Sequence, residues 1–120
     1  MTMRSMTSCS FGDVVLVAFP FTNLQTTKQR PAVVISCADY QQNRLDIIVM
    51  AITSQVREPL AFGEYPLDDW QQAGLLKQSV LKPLIATLEQ PQIIRTLGKI
   101  SPRDQRLLGV ALANILGLQD

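Results

Sequence analysis

The sequence predicts a mostly β, α+β fold: a small barrel-like domain of short strands that ends in one helix. The 120-residue length fits a single domain. Apolar runs rich in Val, Ile and Leu recur between turn-forming residues through the first 100 positions, as expected for strands. The last segment carries helix caps and helical periodicity. A composition of 47% hydrophobic and 18% charged residues excludes intrinsic disorder.

The first three strands are predicted at residues 14–19, 32–37 and 45–52. Gly12 and Asp13 form a turn signal before the first, and Pro31 favours an extended backbone at Arg30 before the second. These runs are nearly continuous in apolar character, which is typical of strands covered on both faces. We expect a barrel interior on one face and a further layer, such as a partner subunit, on the other.

Weaker signals fill the middle of the chain. Polar connections are predicted at residues 22–29, 39–44 and 53–59, and a weak strand at residues 60–65. A single helical turn is expected at residues 68–73, ended by Gly74. Two more short strands are expected at residues 79–84 and 93–100, with Pro83 and Pro91 blurring their edges.

The C-terminal segment predicts a helix from residue 102 to residue 116. Ser101 suits the N-cap, Pro102 the first helical position and Asp104 the third position of a capping box. Gly117 is the expected stop. Helical spacing places four apolar residues on one face: Leu108, Leu112, Ile115 and Leu116.

Composition also limits which ligands the chain can bind and which reactions it can catalyse. A net charge of +1 is too small for bulk attraction to nucleic acid, so a polyanion must be bound by local contacts. The absence of histidine excludes His-dependent catalytic triads and removes the commonest metal ligand. No phosphate-binding loop or CxxC motif occurs, so we expect no metal and no cofactor.

The N-terminus and the cysteines bear on location. Residues 1–10 lack the apolar stretch of a signal peptide, and residues 14–19 are too short to span a bilayer. We expect residues 1–10 to be a flexible segment, residues 11–120 to be the single domain, and the protein to be cytoplasmic, without a membrane partner. Cys9 and Cys37 are expected to be reduced thiols.

Two polar positions stand at the ends of predicted strands. Arg30 lies where a polar loop enters a buried strand, and Thr53, Ser54 and Gln55 follow another buried strand. By themselves these patterns favour ordinary roles, a surface arginine and a turn whose side chains cap their own backbone.

A third polar group precedes a later strand. Lys77, Ser79 and Lys82 place two ammonium groups and a hydroxyl near its start, where alternation puts Lys82 on the face opposite Ser79. One of them could contact phosphate. The alternative is a solvated edge strand whose lysines prevent aggregation.

Several segments together resemble the MazF/PemK family of toxin endoribonucleases. The resemblance is carried by GDVVLVAFPFT at residues 12–22 and KQRPAVVIS at residues 28–36. It continues through AITSQ at 51–55, GLLKQSV at 74–80 and LGKIS at 97–101.

This resemblance implies a homodimeric, SH3-like β-barrel that acts as the toxin of a type II toxin–antitoxin system and is neutralised by a cognate antitoxin. The implied activity is metal-independent, sequence-preferring cleavage of single-stranded RNA through attack by the 2′-hydroxyl, which inhibits translation and growth. Arg30 and Thr53 match the family's catalytic positions. The implied substrate-binding residues are Lys28, Gln29, Ser54, Gln55, Lys77, Ser79 and Lys82.

Two alternatives share the barrel. An inactive SH3-like binding module would need neither Arg30 nor Thr53, and a peptide-binding form should show exposed aromatics, which are sparse here. A gyrase poison of the CcdB kind acts through the end of its C-terminal helix, but residues 117–120 of this chain offer no aromatic side chain there.

Overall fold

The computed structural model describes residues 9–19 and 28–118. Residues 22–27 of the predicted loop at residues 22–29 therefore lie outside the described residues. Within these described ranges there are six strands and two α-helices: β1 (Asp13–Phe19), β2 (Lys28–Val34), α1 (Ala38–Asn43), β3 (Asp46–Thr53), β4 (Tyr65–Pro66), β5 (Val80–Glu89), β6 (Ile93–Lys99) and α2 (Pro102–Leu116). A short 3-10 turn, Gln90–Gln92, joins β5 to β6.

The six strands form one antiparallel sheet in the order β4-β5-β3-β2-β1-β6. The predicted mostly β architecture with a C-terminal helix is confirmed. Among the described residues no hydrogen-bonded ladder joins the edge strands β4 and β6, so the barrel is open between them.

Both faces of the central strands are buried, as the continuous apolar runs predict. One face forms an interior cluster made almost entirely of strand residues, including Val15, Val17, Ala32, Val49 and Ala51. The opposite face packs against α2 and the segment before β5, through Val14, Val33, Met50, Leu81 and Leu108. The second covering layer is therefore the chain's own helix rather than a partner subunit.

Strand bounds differ from the predictions where proline or polar residues obscure the pattern. β2 begins at Lys28, four residues before the predicted start, because its first residues pair with β1 although they are polar. β5 runs to Glu89, five residues beyond the predicted end at residue 84. Proline at position 83 does not end the strand because β5 continues to pair with β3 beyond it.

Two predicted connections have different structures. Residues 39–44, expected as a polar turn, lie mostly in the short helix α1, which buries none of its residues and so shows no apolar periodicity. The strand expected at residues 60–65 is reduced to β4, because only Tyr65 and Pro66 pair with β5.

The segment from 68 to 74 contains the single helical turn expected there, in which the Ala73 N–H donates to the Asp69 carbonyl at 3.2 Å, and Gly74 ends it with a φ of +86°. Trp70, in this segment, packs against the cluster beneath α2. The segment crosses β6 at close range: a Cβ added at Gly74 would lie 2.1 Å from the Leu97 carbonyl oxygen, and one added at Gly98 would lie 2.4 Å from the Ala73 oxygen. Glycine is therefore required on both sides of this crossing.

Helix α2 has the predicted bounds and caps. The Ser101 hydroxyl accepts a hydrogen bond from the Asp104 amide, and Gly117 ends the helix in the left-handed conformation. The predicted apolar face is only partly buried, since Leu108 is fully buried while Leu116 is 54% exposed.

The Asp104 carboxylate does more than the capping-box pattern predicts. It is fully buried and accepts hydrogen bonds from the backbone amides of Asp68, at 3.1 Å, and Asp69, at 2.8 Å. The Ser101 hydroxyl donates to Asp69 at 2.6 Å, and Arg103 pairs with the same carboxylate at 2.8 Å. These contacts fasten the 68–74 segment to the start of α2.

Two residues before the predicted boundary at residue 11 contact the fold. Cys9 is only 6% exposed and belongs to the interior cluster, and its carbonyl oxygen accepts a hydrogen bond from Gln41. Ser10 donates its backbone N–H to Asp13 at 2.8 Å. Residues 1–8 of the segment predicted as flexible lie outside the described residues.

Candidate active site

Arg30 and Thr53 lie just beyond the paired part of β2 and β3. The β2–β3 ladder pairs Ala32 with Ala51 and Val33 with Met50. The hydrogen-bonded ladder ends at Ala32 and Ala51, and the same register continued by two residues would set Arg30 opposite Thr53. Pro31 lies between, and it has no backbone N–H to donate to the ladder.

The same register fixes the face on which the two residues lie. Alternate residues on a strand share a face, so Arg30 follows Ala32 and Thr53 follows Ala51. Both alanines belong to the interior cluster. Arg30 and Thr53 therefore lie at one end of the barrel interior, where buried apolar residues give way to polar ones.

Arg30 is held against the sheet rather than extended into solvent. It pairs with Val17 of β1 across the ladder, its side chain is partly buried, and its Nε atom is inaccessible to water. Such burial restricts the orientation of the guanidinium, which favours an anchored anion-binding group over a mobile surface charge.

Thr53 closes a small turn at the end of β3. Its Oγ1 accepts a hydrogen bond from the backbone N–H of Gln55 at 3.1 Å. This is the self-capping turn that its sequence context favours. The hydroxyl keeps its own proton to donate, because a threonine hydroxyl is both an acceptor and a donor. The turn and a contact to phosphate are therefore compatible.

Exposed polar side chains surround this pair. Lys28 lies at the start of β2, two residues from Arg30, and Ser54 and Gln55 follow Thr53 directly. Val80 of β5 pairs with Thr53, and the exposed Lys82 lies two residues further along β5. The structure thus brings these residues to the same end of the sheet.

Three other predicted residues are placed differently. Gln29 is exposed but alternates with Arg30, so it lies on the opposite face of β2. Lys77 is exposed, three residues before Val80. Ser79 is only 3% exposed, and its hydroxyl donates to the Lys77 carbonyl at 2.8 Å, which is the geometry of a turn-stabilising residue.

Sequence reasoning did not single out Arg57, an exposed cation on the connection that leaves β3. Its signal is its position, four residues beyond Thr53 on the same polar segment. It adds positive charge to the connection that also carries Ser54 and Gln55.

A cleft of about 590 Å³ lies elsewhere, lined by residues 43–46 and 89–91. It is at the start of β3, whereas Thr53 is at its end, so about 23 Å of strand separates the two. There the Tyr40 hydroxyl donates to Asp46 at 2.7 Å, and Arg44 pairs with the same carboxylate at 3.2 Å. The hydrogen bond to Asp46 raises the pKa of Tyr40.

The described residues contain no group of three or more His, Cys, Asp or Glu side chains placed to bind a metal ion. The two thiols are free, Cys9 buried and Cys37 exposed. Burial, and secondarily the charge of Asp13, raise the pKa of Cys9, so it is a poor nucleophile. No helix in the described ranges has the length and apolar character required to cross a membrane.

Solved structures share this fold. An endoribonuclease from a mycobacterial species, in complex with its cognate antitoxin, superposes with a TM-score of 0.76 and 18% identity over 94% of this chain and 99% of that one. The Mycobacterium tuberculosis toxin MazF-mt6 gives 0.71 and 20% over 90% and 99%. The MazE–MazF structure (Form-II) from Deinococcus radiodurans gives 0.67 and 19% over 90% and 94%.

Sequence comparison adds a family to the fold. No curated protein sequence matches the chain significantly. A family model described as PemK-like, MazF-like toxin of type II toxin–antitoxin system matches residues 10–116, which is nearly the whole domain. The chain therefore belongs to the PemK/MazF toxin family of type II toxin–antitoxin systems.

Proposed function

We propose that this chain is an endoribonuclease that cleaves single-stranded RNA without a metal ion, and that this cleavage inhibits translation and growth. The observation that carries the proposal is the register of β2 and β3. Continued by two residues beyond Ala32 and Ala51, this register would set Arg30 opposite Thr53 at the end of the barrel interior, which supports the proposal. Family membership and the endoribonuclease named among the structural neighbours support it.

The proposed reaction uses a nucleophile that RNA itself supplies. The 2′-oxygen bonds to phosphorus while the bond from phosphorus to the 5′-oxygen breaks. The 2′-hydroxyl loses its proton and the departing 5′-oxygen gains one, leaving a 2′,3′-cyclic phosphate and a 5′-hydroxyl. The enzyme must align these groups and stabilise the charge that builds on the phosphoryl oxygens. A histidine is not required for either task.

Arg30 and Thr53 suit these two tasks. A guanidinium donates two parallel hydrogen bonds to a phosphate and stays charged at any physiological pH. Thr53 can donate its hydroxyl proton to a phosphoryl oxygen while its Oγ1 accepts from Gln55. Lys28, Lys77 and Lys82, all exposed, are proposed to bind neighbouring phosphates.

The test is cleavage of a long RNA by Arg30→Ala and Thr53→Ala. Removing a donor that stabilises a developing oxyanion lowers the rate about 100- to 1000-fold. Matched controls are Arg106→Ala on the exposed side of α2 and Thr87→Ala on the exposed side of β5, and both should keep the wild-type rate. Circular dichroism should show all four variants folded. Full activity in Arg30→Ala or Thr53→Ala would remove that residue from the mechanism.

Metal independence has its own test. Cleavage should continue in EDTA, because neither proposed catalytic side chain is a usual ligand for a divalent cation. Loss of cleavage on chelation, with recovery on adding Mg²⁺ or Mn²⁺, would overturn the proposed mechanism.

We further propose that the protein is a homodimer that binds RNA along its subunit interface and is inhibited by a cognate antitoxin. The named complexes of structural neighbours with antitoxins support the second partner. Light scattering should give twice the 13.3 kDa monomer mass. An acidic or amphipathic antitoxin segment that pairs with Arg30 and Lys28 would compete with a short RNA. Inhibition without competition would contradict this arrangement.

A further inference from the structure

We propose that Gln55 reads the base next to the cleaved phosphate and so sets which RNA sequences are cut. This inference rests on the proposed ribonuclease function and assigns its base selectivity to one side chain. Three observations support it: a hydrogen bond that ties Gln55 to Thr53, the exposure of Gln55, and the chemistry of its amide.

The first observation fixes the position of Gln55. Its backbone N–H donates to the Thr53 hydroxyl oxygen at 3.1 Å, so residue 55 stays beside the group proposed to hold the phosphate. A base is joined to its phosphate through a single sugar. A base adjacent to a phosphate held by Thr53 would therefore lie near residue 55.

The second observation concerns whether the Gln55 side chain is available to bind a base. Gln55 and Ser54 are both exposed, and neither side chain makes a hydrogen bond within the described part of the chain. Ser79, by contrast, is buried and donates to the Lys77 carbonyl. Of the uncharged polar residues near Thr53, these two can therefore form new contacts without breaking old ones.

Amide chemistry favours Gln55 over Ser54 as the selective residue. A hydroxyl rotates and serves as donor or acceptor, so it distinguishes bases poorly. A glutamine amide presents a fixed acceptor beside a fixed donor, which matches N6 and N7 of adenine as a pair. Unstacked bases of single-stranded RNA expose these edges to protein side chains. We therefore expect adenine to be preferred beside the cleaved phosphate.

The experiment compares Gln55→Glu and Gln55→Ala with the wild type. Cleavage sites are first mapped on a long mixed-sequence RNA. Rates are then measured on short oligoribonucleotides that carry each of the four bases on either side of the mapped bond. The matched control is Gln71→Glu, the same amide-to-carboxylate change on the exposed surface of the 68–74 segment.

The wild type and the Gln71→Glu variant should prefer adenine at one flanking position by about tenfold or more. Gln55→Ala should lose that preference, so its rate on the adenine substrate should fall towards its rates on the other three bases. A carboxylate accepts from the N4 amino group of cytosine, so Gln55→Glu should move the preference towards cytosine.

Other outcomes separate failure of this inference from failure of the proposed function. If the wild type cleaves but both Gln55 variants keep its base profile, Gln55 does not read a base, even if their rates fall uniformly. A wild-type profile that prefers a base other than adenine would also overturn the inference. If the wild type neither cleaves the long mixed-sequence RNA nor binds single-stranded RNA, the proposed function itself fails.

Discussion

Polar side chains concentrate in two regions of the molecule. The two regions differ in whether those side chains form hydrogen bonds and ion pairs within the fold. At the start of α2, Ser101, Arg103, Asp104 and Asp69 bind one another and nearby backbone amides. At the Thr53 end of β3, Lys28, Ser54, Gln55 and Lys82 are exposed and form no ion pair within the described part of the chain.

This difference separates stability from binding. A polar group whose hydrogen bonds are made inside the fold contributes to stability and has little capacity left for a ligand. A group held near the surface with donors facing water can exchange that water for a phosphate or a base. We therefore expect substitutions at the start of α2 to change the free energy of unfolding, and substitutions at the Thr53 end to change RNA binding or cleavage.

The largest effect is expected where the 68–74 segment crosses β6. Gly74→Ala forces a positive φ on an alanine and places its Cβ 2.1 Å from a backbone oxygen, so the crossing must open. We expect a loss of stability above about 3 kcal/mol or failure to fold. Gly109→Ala is the control, since it meets nothing within 4 Å on helix α2 and should stabilise the fold by up to about 1 kcal/mol. Urea denaturation measures both, and equal effects would contradict the close crossing.

The second-largest loss of stability is expected from Asp104→Ala. It removes the acceptor for two backbone amides in a buried site, and each unsatisfied donor costs about 1 to 3 kcal/mol. Asp39→Ala, on the exposed surface of α1, should change stability by less than about 0.5 kcal/mol. If Asp104→Ala changed stability as little as Asp39→Ala, the Asp104 carboxylate would not be holding the 68–74 segment to α2. The rate of RNA cleavage per folded molecule should stay unchanged.

Lys82→Ala tests the other region. If Lys82 binds one phosphate, its loss should reduce the slope of log affinity against log salt by about 0.7 for single-stranded RNA. Arg103→Ala changes the net charge equally, but Arg103 is paired with Asp69, so it should leave the slope unchanged. Fluorescence titration of a 2′-deoxy-blocked oligonucleotide at several salt concentrations measures both. Equal slopes for wild type and Lys82→Ala would place this lysine outside the RNA path.

The smallest expected effect is the pH dependence of stability that comes from Asp69. The hydrogen bond from Arg103, and next that from Ser101, lower the pKa of Asp69. Because the pKa of Asp69 is lower in the folded state, the ionised carboxylate stabilises the fold at pH values above 3.8, the ordinary pKa of Asp. This stabilisation is lost as the pH falls through the pKa that Asp69 has in the folded protein. The stability difference between wild type and Asp69→Asn should therefore narrow below pH 3.8. A difference independent of pH would show that Asp69 ionisation does not contribute.

The sequence predicts the elements whose signals are local. The bounds of α2 follow from Ser101, Pro102 and Gly117, which act within one turn of the helix ends. The strand β1 follows from its apolar run between turn residues. The helix α1 could not be predicted in this way, because none of its residues is buried and its periodicity is therefore polar.

The candidate site shows a similar division. Arg30 and Thr53 could be singled out as polar residues at the ends of strands, and the family resemblance gave them roles. Their proposed alignment depends on continuing the register of β2 against β3, two strands that are far apart in the sequence. The buried position of Ser79 and the two amides bound by Asp104 depend on tertiary contacts in the same way.

The position of Trp70 has a practical consequence. It is the only tryptophan in the chain, and it lies in the segment that Asp104 fastens to α2. Its intrinsic emission therefore reports the solvation of this segment without any added dye. Release of the segment from α2 should shift the emission to longer wavelength. One optical signal can thus follow the loss of this single contact region in the same sample in which cleavage is measured.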